Sequence, residues 1–216
     1  MKDTRSLVLN NIRAALGRGE LTGSAAARVG VRSAPPRSVP TPAGTAEVVE
    51  QFVARATALS MTLERVACRD DVPGAVAAYL AARRLAPHIV VAAPLAPCEW
   101  PASLTVRVGP ARQHDAVGVT PCFAAIAETG SLVLLSSAGT PTSLNFVPDD
   151  HIVVLGRAQI VARQEEVWTR LRSKPMPRAV NIVSGPSRTA DVEQVVQLGV
   201  HGPRRVHVVL VEQGVG

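Results

Sequence analysis

Apolar residues recur along this chain in two periods, and the alternation of those periods predicts its architecture. From Thr45 the period is helical, with Val48, Val49, Phe52, Val53, Ala56 and Leu59 on one broad face. Asp71 to Leu85 predicts a second helix, opened by Asp71 and Pro73 and facing inward through Val76, Tyr79 and Leu80. Continuous apolar runs at His88 to Ala93, near Leu104 to Val108, at Ser131 to Leu135, His151 to Leu155 and Arg205 to Val211 predict buried strands. Ala116 to Val119 predicts another strand, Cys122 to Ala127 a short helix, and Val167, Trp168 and Leu171 mark a further helix. Ala179 to Ser184 predicts a strand covered on both faces, and Thr189 to Leu198 a helix whose inward stripe is Val192, Val195 and Val196. Helix and strand in repeated alternation predict an α/β fold, an open sheet with helices on both faces.

The N-terminal region differs. Thr4 to Leu16 predicts an amphipathic helix carrying Val8, Leu9, Ile12, Ala15 and Leu16. Beyond it a Gly- and Pro-rich stretch without periodicity has linker composition. The expected organisation is therefore an N-terminal helix over 1–18, a flexible linker over 19–44 and one α/β domain over 45–216. The glycines at 17, 19 and 23 have the wrong spacing for a dinucleotide fingerprint, and no strand precedes them.

Composition narrows the function. The chain is 47% hydrophobic but only 3% aromatic, so its core is built from Ala, Val and Leu. Its net charge of +6 suggests nucleic acid until the charge is located. Residues 1–37 hold seven basic side chains against two acidic ones, leaving sixteen against fifteen elsewhere, so the domain is nearly neutral and lacks a phosphate-gripping face. Cys68, Cys98 and Cys122 are far apart with no Cys-x-x-Cys pair, which argues against a zinc or iron–sulfur site, and Cys122 reads as a small buried hydrophobe. No apolar run is long enough to span a bilayer and no signal peptide is visible, so a cytoplasmic protein is expected.

Candidate chemistry concentrates at two places. In the run Ser184-Gly185-Pro186-Ser187-Arg188-Thr189-Ala190-Asp191, a strand, a Gly-Pro turn and a helix N-terminus would present backbone N–H groups, hydroxyls and a guanidinium to an anion. The plainer reading is a well-capped turn. Glu128-Thr129-Gly130 sits at a turn before a buried strand, where Glu128 is either a nucleophile or general base, or a turn cap or partner of Arg188. Asn145 lies in a hydroxyl-rich loop. His151 reads as structural, whereas His201, held by Gly199, Gly202 and Pro203, either faces a ligand or serves the turn. The dispersed histidines predict no metal site.

Four blocks, AIAETGSLVLLSS, TPTSLNFVPDDHIVVL, SGPSRTADVE and GVHGP, occur in the order that resembles the lactate-utilisation protein C family, the LUD domain. The resemblance spans roughly 45–212. It implies a fold of the sugar-isomerase and CoA-transferase type and a role in bacterial oxidation of L-lactate to pyruvate. It also implies iron–sulfur partner proteins that carry the clusters, with no cofactor on this chain, and leaves a homo-oligomer open. AETG resembles the Ser-Glu-Asn-Gly turn of CoA transferases, with Glu128 on the nucleophilic position and Ala127 and Thr129 replacing the Ser and Asn. Three functions follow: a component binding a small carboxylate or other anion, a free-standing enzyme on a CoA thioester or sugar phosphate using Glu128, or a ligand-sensing module. Glu128, Ser187, Arg188, Thr189 and His201 are expected to converge on one pocket that binds a small carboxylate or an acyl or phosphate group, with Arg188 pairing the anion in bidentate fashion.

Overall fold

The structure, a computed structural model, describes residues 4–17, 44–192, 195–198 and 202–213. The chain divides into two units, 1–38 and 39–216. The first contains helix α1 (Thr4–Ala15), whose Leu7, Val8, Leu9 and Ile12 are exposed.

In the second unit, α2 (Thr45–Ala58) buries Val49, Phe52 and Ala56, the i, i+3, i+7 stripe that its sequence predicts. Next come β1 (Thr62–Val66), α3 (Val72–Arg83), β2 (His88–Val91), β3 (Thr105–Val108) and β4 (Val117–Pro121). These are followed by β5 (Ala124–Ile126), β6 (Ser131–Leu135), α4 (Ser143–Phe146), β7 (Asp150–Gly156), β8 (Ile160–Val161) and α5 (Gln164–Arg172). The chain closes with β9 (Val180–Val183), β10 (Arg188–Val192), β11 (Val195–Leu198) and β12 (Arg205–Val211). Six strands form a parallel sheet in the order β1-β12-β7-β4-β2-β3, and four form a second sheet in the order β8-β5-β6-β9.

Alternation along β7 and β12 divides the core. Val153, Leu155, Val208 and Leu210 pack with Phe52 and Ala56 of α2 and with Leu132 and Leu134 of the smaller sheet. Ile152, Val154, Val209 and Val211 pack on the other face with Val76, Tyr79 and Leu80 of α3. Helices therefore cover both faces, as the alternating pattern predicts. Among the described residues no helix is long and apolar enough to cross a membrane.

Four expectations are corrected or extended. Residues 122–127 are not helical, because Ala124–Ile126 is fully buried between β6 and β8 and pairs with both. A short apolar run has no period that separates strand from helix. Thr189 to Leu198 is also not a helix: β10 and β11 form an antiparallel hairpin, in which β-branched Thr189, Val192, Val195 and Val196 suit extended backbone better than the helical stripe they also spell. The strand at Ala179 to Ser184 exists as β9, but it is the edge of the smaller sheet, and Ile182 is 41% exposed. Finally, β1 is a strand that the apolar pattern does not announce. Its residues Thr-Leu-Glu-Arg-Val occupy the sheet edge, where only one neighbour, β12, must be matched.

Candidate functional site

Antiparallel pairing of β6 with β9 sets Leu132 opposite Val183. Just beyond that pair, the Ser131 and Ser184 hydroxyls lie 2.8 Å apart although 53 residues separate them in sequence. Thr129 Oγ1 is 2.7 Å from Ser131 Oγ, so three hydroxyls form a chain. The turn Glu128-Thr129-Gly130 and the elbow Ser184-Gly185-Pro186 thus meet at one end of the smaller sheet.

Both rest on the C-terminal end of α2. Gly130 has φ +69°, and a Cβ there would lie 2.7 Å from Ala56 N and from Arg55 C. Gly185 has φ +98°, and its Cβ would lie 2.5 Å from the Leu59 carbonyl oxygen. Only glycine allows this approach with a left-handed backbone. Arg188 reaches back to the same helix end, donating to the Leu59 carbonyl at 3.5 Å and to the Ser60 hydroxyl. It is exposed, and no carboxylate among the described residues pairs with it. A guanidinium at the C-terminal carbonyls also suits the negative end of the helix dipole.

Glu128 has a different partner from either charge-based expectation. Its Oε1 accepts the N–H of Gln164, the first residue of α5, at 3.0 Å, and its own N–H donates to Ala162 O at 3.1 Å. The exposed carboxylate thereby caps a helix N-terminus, where negative charge is favoured. The pairing of Glu128 with Arg188 is not formed.

The remaining predicted residues divide. Ser187 donates its N–H to Pro203 O at 2.8 Å, and a Cβ built at Gly202 would meet Ser187 Cβ at 3.3 Å and Phe146 Cδ1 at 3.8 Å. The elbow thus runs toward α4, on which Asn145 is buried. Thr189 and Asp191 belong to β10, but their side chains, like all of His201, lie outside the described residues. The helix N-terminus expected at Thr189 is absent, because that segment is a strand. This removes backbone helix donors from the anion reading and leaves hydroxyls and a guanidinium. Ser60 and Ser131, which complete the cluster, were missed. Ser131 reads from sequence as a strand residue, and Ser60 follows a helix with no pattern of its own.

Elsewhere, His151 is fully buried on β7, its Nε2 2.8 Å from Thr120 Oγ1 and its Nδ1 without a partner. At the N-terminal edge of the large sheet, buried Asp150 accepts from Arg205 Nε and Nη2, each at 2.6 Å, and from the Tyr79 hydroxyl at 2.7 Å. His207 stacks on the Tyr79 ring at 4.4 Å, with Nδ1 2.8 Å from Thr62 Oγ1. Burial pushes the Cys122 thiol up to about 12, so it is an inert core group. A separate cleft of about 560 Å³, lined by Arg69, Asp70, Pro97, Cys98 and Glu99, contains none of the candidate catalytic or ligand-binding residues.

Residues 113–211 match the LUD domain, a span that takes in β4 to β12 and therefore Glu128, Asn145, Ser184 and Arg188, but not α2 or Ser60. A lactate utilization protein C of Deinococcus radiodurans is 37% identical over 190 residues, covering 82% of this chain and 85% of the relative. The chain belongs to the lactate utilization protein C family. A family member from Halalkalibacterium halodurans is 36% identical over 107 residues, covering 47% of this chain and 46% of the relative. A solved DUF162 family protein from Deinococcus radiodurans, 24% identical, covers 79% of this LUD-domain chain and 99% of its own length with a TM-score of 0.62, and so shares its fold. Relatives so named support a role in lactate utilisation.

Proposed function

We propose that this protein serves lactate utilisation as a component that binds a small carboxylate or similar anion where the turn at Glu128 to Gly130 meets the elbow at Ser184 to Arg188, beside iron–sulfur partner proteins that carry out electron transfer. The observation that supports this reading is the Arg188 guanidinium: it is exposed, unpaired with any carboxylate among the described residues, and set at the helix end against which the turn and elbow joined by the Thr129–Ser131–Ser184 hydroxyl chain rest. A planar guanidinium offers a carboxylate two parallel N–H donors, and neighbouring hydroxyls can satisfy the remaining lone pairs. The names of the relatives supply the physiological setting.

Calorimetry with L-lactate and pyruvate tests the ligand reading. Arg188→Ala is expected to weaken binding roughly 30- to 150-fold, the equivalent of about 2 to 3 kcal/mol for charge-assisted hydrogen bonds. Binding unchanged by the substitution would remove Arg188 from the site. Affinity co-purification with cysteine-rich iron–sulfur proteins tests the partnership.

A second reading, a free-standing enzyme acting through Glu128, draws on the exposure of that carboxylate. Against it stands the capping bond to Gln164, which engages Oε1 and holds the carboxylate at the start of α5, leaving Oε2 alone for chemistry. Turnover of a CoA thioester by the isolated chain, abolished by Glu128→Gln, would favour it over the binding role.

A further inference from the structure

Six described residues have left-handed φ, and three of them, Ser60, Gly130 and Gly185, meet at the C-terminal end of α2. Two are glycines, which adopt such angles freely. Ser60, with φ 67°, is not, and a non-glycine residue held there stores backbone strain. Its N–H donates to Thr57 O at 2.9 Å, which closes the helix end, but glycine would serve that closure at lower cost. What glycine would not supply is the hydroxyl, and the hydroxyl is bonded to Arg188 Nη2, 128 residues away in sequence.

We propose that Ser60 is a positioning residue of the anion site: it holds the Arg188 guanidinium at the junction of turn, elbow and helix, and its strained backbone is retained for that hydroxyl. Arg188 is a long, exposed side chain, and fixing its head before a ligand arrives lowers the entropy that binding must remove. Three contacts aim it. The Leu59 carbonyl takes one hydrogen bond from Nη2, the Ser60 hydroxyl takes another, and the close seat of Gly185 on Leu59 fixes the elbow from which β10 starts. The remaining guanidinium N–H groups are left for an anion. This inference rests on the ligand reading above for its purpose, but the positioning itself does not.

The test compares Ser60→Gly with Ser60→Ala. Both remove the hydroxyl, while only glycine relieves the strained φ, so glycine is expected to melt at the higher temperature of the two. L-Lactate, titrated by calorimetry, should bind both variants about ten-fold more weakly than wild type despite their different stabilities. Affinity that instead follows stability, or that equals wild type in either variant, would overturn the proposal. NMR of the Arg188 guanidinium separates the two claims. Resolved Nη signals in the ligand-free wild type that merge in Ser60→Gly support positioning, and signals identical in both proteins sink it. If wild type holds neither L-lactate nor pyruvate, the ligand reading fails, and the guanidinium signals alone decide the role of Ser60.

Discussion

Lowering the pH from 6.5 toward 4 is expected to remove about 6 kcal/mol of folding stability, half of it through His151 and half through His207. Burial pushes His151 down to about 4 from its ordinary 6.5, since its ring lies in the apolar layer on β7 between Gly118 of β4 and Val206 of β12. Burial likewise lowers His207 to about 4, helped by Arg83 and opposed by Asp150. Glu64 Oε2 stands 3.9 Å from Nε2, too far for a hydrogen bond to the imidazolium. Both imidazoles stay neutral in the folded state while the unfolded chain takes up protons below 6.5. Stability is therefore full above that pH, declines as the pH falls, and levels off below about 4. Each contributes about 3 kcal/mol, which together approaches the whole stability of an ordinary domain. Urea unfolding across this range should show the midpoint collapsing, and the double variant His151→Asn, His207→Asn should show it nearly flat. Asp71 acts in a separate window: lowered chiefly by the Cys68 backbone N–H, it costs stability only as the pH falls below its ordinary 3.8. A wild-type midpoint unchanged between pH 6.5 and 4.5 would contradict the buried, neutral state of both rings.

The core of the fold is legible because its strands are buried on both faces. Parallel strands such as β7 and β12 read as unbroken Val/Ile/Leu runs, and the covering helices α2 and α3 read as 3.6-period stripes. Legibility fails where one-sided burial or short length erases the period. Thr62–Val66 is an edge strand that only β12 needs to match, so it carries Glu64 and Arg65 among its apolar residues. Ala124–Ile126 is too short for any period. Val192, Val195 and Val196 fit a helical stripe by spacing but extended backbone by shape, and a β-branched segment that finds an antiparallel partner within two residues takes the hairpin.

The candidate site was legible as two patches and illegible as a geometry. Gly130 and Gly185 punctuate turns in the sequence, yet their reason, contact with the end of α2, is a tertiary fact. Glu128 reads equally as base, cap or ion-pair partner from its position at a turn. Only the register of β5 with β8, which brings Ala162 and then Gln164 to it, assigns it a cap. Ser60 carries no motif, and its left-handed backbone is where local preference and structure conflict. Such conflicts concentrate at sites that do something besides fold.

Replacing Asp150 by alanine is expected to cost about 3 kcal/mol, the largest single-residue loss among the polar groups. Asp150 and Arg205 are direct partners in the pairing of β7 with β12, so their side chains leave the sheet on the same face and meet without bending either strand. Both carboxylate oxygens are used, in a bidentate pair that is the strong form of such contacts, and the Tyr79 hydroxyl adds a third donor from α3. The carboxylate side chain is 1% exposed, so the variant leaves the Tyr79 hydroxyl and the Arg205 guanidinium facing a dry void. The Arg205 side chain is 38% exposed, which lets water recover part of its charge and holds the loss to the low end for a broken buried pair. Asp150→Asn should cost less, since one carbonyl oxygen still accepts, and Tyr79→Phe about 1 kcal/mol, the worth of one hydrogen bond. In a double-mutant cycle, Asp150→Ala with Arg205→Ala should cost less than the sum of the two, because the second change removes the cation that the first leaves unpaired. Strict additivity in urea unfolding would mean that the pair does not act as a unit. Asp150 also raises His207, so Asp150→Asn should move the His207 titration further down in pH, an effect that NMR of the imidazole reads as a neutral ring persisting to lower pH than in wild type.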